Sequence, residues 1–233
     1  MKKIIFFLKQ VKHTFWIMYL DLEGWRDYYR LYFDFPQLKD AFSSCHSQYN
    51  LTKSYTDYSN RISHPKMAIS LELASFLYNL CIIIKPKIVF DLGSGFSTYV
   101  FALYRHKWNR TMKLWSVDND IKWLSKTRAY LQSKKLTYTK LISWSSFNKL
   151  SMSQFPCNLV LYDLGTMKIR AHFFSYILSH IKKGAFVVID DMHMLDYSRL
   201  VRKHIRTRNV RLYSLRSFTK DKYTRFAVLL VRS

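Results

Sequence analysis

The rhythm of apolar and polar positions changes partway along this chain. From Ile4 to Leu22 the apolar residues Ile4, Phe7, Leu8, Val11, Phe15, Met18, Tyr19 and Leu22 recur at helical spacing. They fall on one face of an α-helix, with Lys2, Lys9, Lys12 and Asp21 largely off it. Large aromatics follow closely: Trp16, Trp25, Tyr28, Tyr29, Tyr32, Phe33 and Phe35. Ser54 to His64 reads as polar and turn-like. Pro65 then opens a second helical pattern, Lys66 to Ile84, in which Met67, Leu71, Ala74, Tyr78 and Cys81 keep step, and Pro86 ends it.

Beyond Pro86 the rhythm shortens. Apolar, strand-length runs occur at 87–91, 113–118, 137–143, 158–163 and 185–190. Helical stretches follow near 97–107, 120–133, 168–182 and 195–206, and a short helical or irregular piece follows the third run. Strands that alternate with helices predict a parallel sheet with crossovers. Val210 to Leu215 and Arg225 to Val231 are separated by a turn-like Phe218–Lys222 and no crossover helix, so they are expected to pair antiparallel. The expected fold is α/β: a Rossmann-like, mostly parallel sheet of seven strands ending in an antiparallel hairpin. Residues 1–64 form a helical, aromatic-rich region before a domain spanning 65–233.

Charge adds a hint about partners. The chain carries 38 Lys and Arg against 15 Asp and Glu, a net +23, and no basic block exceeds two residues. Such an excess suits an anionic partner, whether nucleic acid, an acidic membrane surface or a phosphorylated substrate, or simply a basic solvated surface. The acids are more selective. Glutamate occurs only at 23 and 72, while Asp91, Asp118, Asp120, Asp163, Asp190 and Asp191 sit at or just after the ends of strand-like runs. In an open parallel sheet those ends line the ligand crevice.

The N-terminal helix could rest on an anionic membrane through residues 1–22 or cover a core or a second subunit. Its apolar start is too short for a secretory signal, no small-residue cleavage site follows, and no run is long enough to span a bilayer. Cys45, Cys81 and Cys157 suggest neither a disulfide framework nor a zinc site. The expected location is cytoplasmic.

The most informative segment is Asp91-Leu92-Gly93-Ser94-Gly95-Phe96-Ser97-Thr98, set between a strand and a helix. Glycines there let backbone approach a ligand, and the helix start offers unpaired N–H groups. With the acids at the later strand ends, the chain resembles the class I S-adenosylmethionine-dependent methyltransferases over about residues 66–233. The segment resembles the family's glycine-rich first motif, with Ser97 in place of the third glycine. That serine also breaks the stricter dinucleotide fingerprint, which disfavours NAD.

The resemblance implies that Gly93, Ser94, Gly95 and Ser97 lie against the methionine part of the cofactor and that Asp91 supports its amino group. Asp118, followed by Asn119, would accept hydrogen bonds from the ribose diol. Trp144-Ser145-Ser146 falls where the family places an adenine contact, without the usual acid. Asp163 resembles the fourth-strand acid facing both cofactor and substrate, and Asp190, Asp191 and His193 match the end of the fifth strand. Asp163 with the Asp190-Asp191 pair is similar to the Mg²⁺ ligand set of catechol-type O-methyltransferases, so a metal is one implied option. Without it, His193, Asp163 or Asp191 would take the acceptor's proton.

The function implied is O-methylation of a small molecule or glycan. RNA or DNA methylation stays open on charge, although the commonest base- and ribose-methylating motifs are missing. A non-catalytic Rossmann-like binding protein and a homo-oligomer also stay open.

Overall fold

The computed structural model describes residues 2–38, 46–150, 157–206 and 208–232, without the side chains of 2–10, 13 and 46–50. The predicted faces at Lys2, Lys3, Ile4, Phe7, Leu8 and Lys9, and the thiol of Cys45, therefore lie outside the described residues. Seven strands form one sheet in the order β3-β2-β1-β4-β5-β7-β6. They are β1 (Ile88–Leu92), β2 (Lys113–Asp118), β3 (Lys140–Ser143), β4 (Leu159–Tyr162), β5 (Phe186–Ile189), β6 (Val210–Ser214) and β7 (Val228–Arg232). β1 to β5 run parallel, and β7 is inserted antiparallel between β5 and β6. This is the expected mostly parallel sheet with a reversed terminal strand.

The strands feed two cores because successive side chains alternate faces. Val89, Leu114, Leu159, Leu161 and Val188 join one cluster. Phe90, Leu92, Val160, Tyr162, Val187 and Ile189 join the other. The first core is covered by α2 (His46–Arg61), α3 (Leu71–Ile84), α4 (Phe96–Lys107) and α5 (Ile121–Ser133), and the second by α6 (Trp144–Asn148), α7 (Met167–His180) and α8 (Leu195–Ile205).

Two predicted boundaries move. The helix expected over 66–84 starts only at Leu71. Ser70 is extended and its hydroxyl accepts from Leu73 N at 3.0 Å, a side-chain cap that fixes the start. Residues 64–68 form a turn instead, and Met67 is exposed rather than in step with the helix. The segment expected to be a turn, 54–64, is helical through Arg61. Its Leu51, Tyr55, Tyr58 and Ile62 recur at helical spacing against the first core. Two of these are tyrosines, which read as polar in sequence yet bury their rings.

The N-terminal helix α1 runs from Lys2 to Asp34, well past the predicted stretch, and a 3₁₀ turn, Pro36–Leu38, follows. The face it packs is not the predicted apolar one. Leu20, Glu23, Gly24, Asp27 and Leu31 are buried, whereas Phe15, Met18, Tyr19 and Leu22 are exposed. Acids hold α1 to the body. Asp27 Oδ2 accepts from Ser214 N at 2.8 Å and Asp34 Oδ2 from Tyr213 Oη at 2.6 Å, so α1 caps polar groups of the edge strand β6. Glu23 takes both Arg202 guanidinium nitrogens at 2.6 Å, and Asp21 takes Arg216 Nε at 2.7 Å. Arg216 lies in α9 (Arg216–Thr219), a short helix inside the predicted hairpin turn.

Candidate active site

The sheet order changes direction between β1 and β4, and the carboxyl ends of β1, β2 and β4 frame a crevice there, where open α/β sheets take ligands. A cavity of about 320 Å³ opens at this point. One side is built from the β1 and β2 ends. Gly93 has φ +124°, and a Cβ there would come within 2.4 Å of the Asp163 carbonyl oxygen. Its bareness is thus demanded by packing of β1 on β4 rather than by a ligand. Gly95 is different: a Cβ would meet only Tyr58 Oη and Trp123 Nε1 at ordinary contact distance, so it opens onto the cavity. Trp123 Nε1 donates to the Ser94 carbonyl and fixes the loop from above.

Asp118 ends β2 with both carboxylate oxygens held. Ser94 N donates to Oδ2 at 3.0 Å and Asp120 N to Oδ1 at 2.9 Å. The carboxylate is 6% exposed and lines the cavity with Asn119. Burial raises its pKa while the backbone N–H groups oppose the rise. Asp120 also lines the cavity and caps α5, accepting from Lys122 N at 2.8 Å. Asp91 lies fully buried under the loop, off the cavity wall. Its Oδ2 accepts from Thr98 Oγ1 at 2.5 Å and Ser116 Oγ at 3.2 Å, and its Oδ1 has no partner. Burial pushes its pKa up to about 7. Ser97 donates to the Gly93 carbonyl at 3.3 Å and also lines the cavity.

The opposite side is ionic. Arg170, on the first turn of α7, is 7% exposed. Its Nη1 donates to Asp191 Oδ2 at 2.8 Å, and its Nη2 lies 2.5 Å from Asp163 Oδ1. The second contact is poorly aligned, which leaves Asp163 Oδ1 short of a hydrogen-bond donor. Nη2 also donates to the Gly165 carbonyl at 3.2 Å. The Asp163 pKa rises through burial, with Arg170 opposing and Asp191 adding to the rise. Asp190 Oδ1 accepts from Asp191 N at 2.7 Å, and burial beside two more carboxyls drives its pKa well up, towards the neutral acid. Asp191 has φ +60°, a left-handed conformation that aspartate tolerates better than most residues. His193 Nδ1 is 3.6 Å from Asp191 Oδ1, too far for a hydrogen bond, and burial lowers its pKa, favouring the neutral ring.

Of the predicted residues, the cavity wall includes Gly93, Ser94, Gly95, Ser97, Asp118, Asn119 and Asp163. Asp91, Asp190, Asp191 and His193 stand off it, and Asp191 reaches Asp163 through the shared Arg170. Trp144 packs among Phe147, Phe173 and Tyr176 in the second core and does not line the cavity. The carboxylate set does not fit Mg²⁺: the guanidinium occupies the position between Asp163 and Asp191 that a metal would take. Among the described residues no group of three or more His, Cys, Asp or Glu is placed to hold a metal.

Sequence reasoning missed Arg170, Tyr58, Trp123 and the 67–69 segment, which also face the cavity. Arg170 had a signal. A cation in the first turn opposes the helix dipole, so a buried one there implies a carboxylate partner. Arg225 was missed too. It donates to the carbonyls of Pro65, Lys66 and Ala68 at 3.0–3.1 Å while Asp221 holds its Nε at 2.8 Å, and so braces the 65–68 turn beside the cavity.

No protein-family model matches the sequence, and no curated protein matches it. Solved structures do match. The chain is similar to the O-methyltransferase TomG from Streptomyces achromogenes in complex with SAM, at 13% identity and TM-score 0.60, over 91% of this chain and 98% of that one. It is similar to the Bacillus cereus O-methyltransferase in complex with SAH, at 12% identity and TM-score 0.58, with the same coverage. SAH-bound Podospora anserina PaMTH1 matches at 12% identity and TM-score 0.61, over 78% and 87% of the two chains. At these identities the likeness establishes the fold alone, a Rossmann-like α/β fold shared with these structures.

Proposed function

We propose that this chain is an S-adenosylmethionine-dependent methyltransferase that methylates a hydroxyl of a small molecule or glycan. Asp118 carries the reading. It is a buried carboxylate, pre-oriented by two backbone N–H groups, with free lone pairs on the wall of a ligand-sized cavity beside a glycine loop. A vicinal diol suits that acceptor. Asp91, buried off the cavity wall, supports the loop from beneath through Thr98 and Ser116. Three structural neighbours carry SAM or SAH in the same fold.

When bound, the cofactor supplies a sulfonium methyl for in-line displacement by the acceptor oxygen. The chain's own residues position and deprotonate. Asp163 is the general base: it lines the cavity, and its raised pKa suits it to take the hydroxyl proton near neutral pH. Arg170 lines the cavity too and serves as the fixed cation, holding Asp163 and stabilising charge on the acceptor oxygen. Asp191 orients Arg170, while Asp190 accepts the Asp191 backbone N–H. Met67, Ala68 and Ile69 help close the cavity against water.

Calorimetric titration with S-adenosylhomocysteine tests the cofactor role. Asp118→Ala should weaken binding by about 1–3 kcal/mol, since it leaves hydroxyl donors unpaired. Unchanged affinity in a folded variant would reject the ribose assignment. The net charge of +23 favours one second reading, a nucleic-acid acceptor. Labelled methyl transfer to bulk RNA or DNA distinguishes it from a small acceptor.

A further inference from the structure

The exposed face of α1 repeats in a way that identifies its partner. Phe15, Met18, Leu22, Trp25 and Tyr29 are 67%, 55%, 67%, 64% and 57% exposed. They are separated by three, four, three and four residues, and Val11, Leu8 and Ile4 continue that alternation towards the N-terminus. A strict three–four alternation is a heptad repeat with an apolar seam, the pattern that packs one helix against another. At 100° per residue the seam lies about half a turn from the face that holds α1 to the body through Leu20, Glu23, Asp27 and Leu31. Nothing in the chain's own described fold covers it.

A membrane surface fits this seam poorly. Interfacial helices surround a broad apolar face with free cations. Here the two margins of the seam carry opposite charges instead, Asp21, 53% exposed, on one side and Arg26 on the other. A second copy of the helix fits well. With Phe15, Leu22 and Tyr29 as the a positions, Asp21 falls at g and Arg26 at the following e. Parallel pairing sets those two positions, of opposite charge, across from each other between chains.

We propose that α1 pairs with α1 of a second copy of this chain in a parallel two-stranded coiled coil, with the two bodies on its outer sides. The contact is self-complementary, as a two-fold dimer requires. Sedimentation equilibrium of the full chain should show a dimer. Met18→Lys with Leu22→Lys should raise the dissociation constant roughly tenfold or more, with far-UV circular dichroism and S-adenosylhomocysteine affinity unchanged. Leu22→Cys should give a covalent dimer on mild oxidation where wild type does not, because parallel pairing brings the two Leu22 positions together. A wild-type monomer at tens of micromolar overturns the proposal, including one that floats with phosphatidylserine-containing vesicles. A dimer that resists the double substitution, or a Leu22→Cys chain that fails to cross-link, overturns it as well.

Discussion

The two sides of the crevice solve the same electrostatic problem differently. Both place aspartates at the ends of central strands, where burial disfavours charge. On the β1–β2 side, Asp91 and Asp118 are met by neutral donors: the hydroxyls of Thr98 and Ser116, and the backbone N–H groups of Ser94 and Asp120. On the β4–β5 side, Asp163 and Asp191 share one guanidinium, and Asp190 is driven towards its neutral form. At Asp118 the neutral donors leave carboxylate lone pairs open to the cavity. A buried cation closes a charge balance and fixes position, so under the proposed function the first side is the one that recognises a ligand and the second the one that holds charge during reaction.

The comparison breaks hardest at Arg170. Arg170→Met keeps much of the side chain's bulk and removes the charge, leaving Asp163 and Asp191 without their cation. Removing one partner of a buried ionic cluster costs about 3–5 kcal/mol. Thermal unfolding should show that loss, and methyl transfer should fall further than stability accounts for. Arg170→Lys should recover part of the stability but less of the activity, because an ammonium cannot span two carboxylates as the fork does. Wild-type stability in Arg170→Met would mean that the two sides are not electrostatically distinct.

Asp91 sharpens the other side through pH. Its folded pKa, about 7, lies above its ordinary value of 3.8. Between these values the unfolded chain ionises while the folded chain keeps the proton, so this group's contribution is full at low pH and is lost as pH rises through about 7. The change amounts to about 4 kcal/mol at most, at 1.36 kcal/mol per unit. Denaturant titrations of the cofactor-free protein should therefore show Asp91→Asn gaining stability relative to wild type from pH 4 to 7. A constant difference across that window would mean that Asp91 is already ionised in the fold.

What could be read in advance follows the same division. The β1–β2 side is local: Ser94 reaches Asp118 across 24 residues, and Asp91, Ser97 and Thr98 share one turn. A glycine loop between a strand and a helix announces it, as strand alternation announces the sheet. The β4–β5 side depends on Arg170 and on Arg225 bracing a turn about 160 residues earlier, contacts that no periodicity marks. The helix over 46–61 was hidden because tyrosines supplied its buried face. The face of α1 was misassigned for a related reason: its strongest apolar stripe points outwards, and the packed face uses Glu23 and Asp27, which bury only because Arg202 and Ser214 N receive them.

The smallest expected effect is also a test of the division. In catechol-type enzymes, which the strand-end acids resemble, a divalent cation would sit among these carboxylates. Here Arg170 lies within 2.5 and 2.8 Å of two of them, and adding a dication beside it would set like charges together in a buried site. Dialysis against EDTA should leave methyl transfer unchanged, and Mg²⁺ added back should not raise it. Arg170→Ala gives the complementary arm, since it empties the space between Asp163 and Asp191. If that variant, inactive alone, regains turnover with millimolar Mg²⁺, the guanidinium stands where a metal can, and the acidic set is a cation site filled by the chain itself. Loss of wild-type activity in EDTA, restored by Mg²⁺, would show that the guanidinium does not replace the metal and would undo the contrast between the two sides.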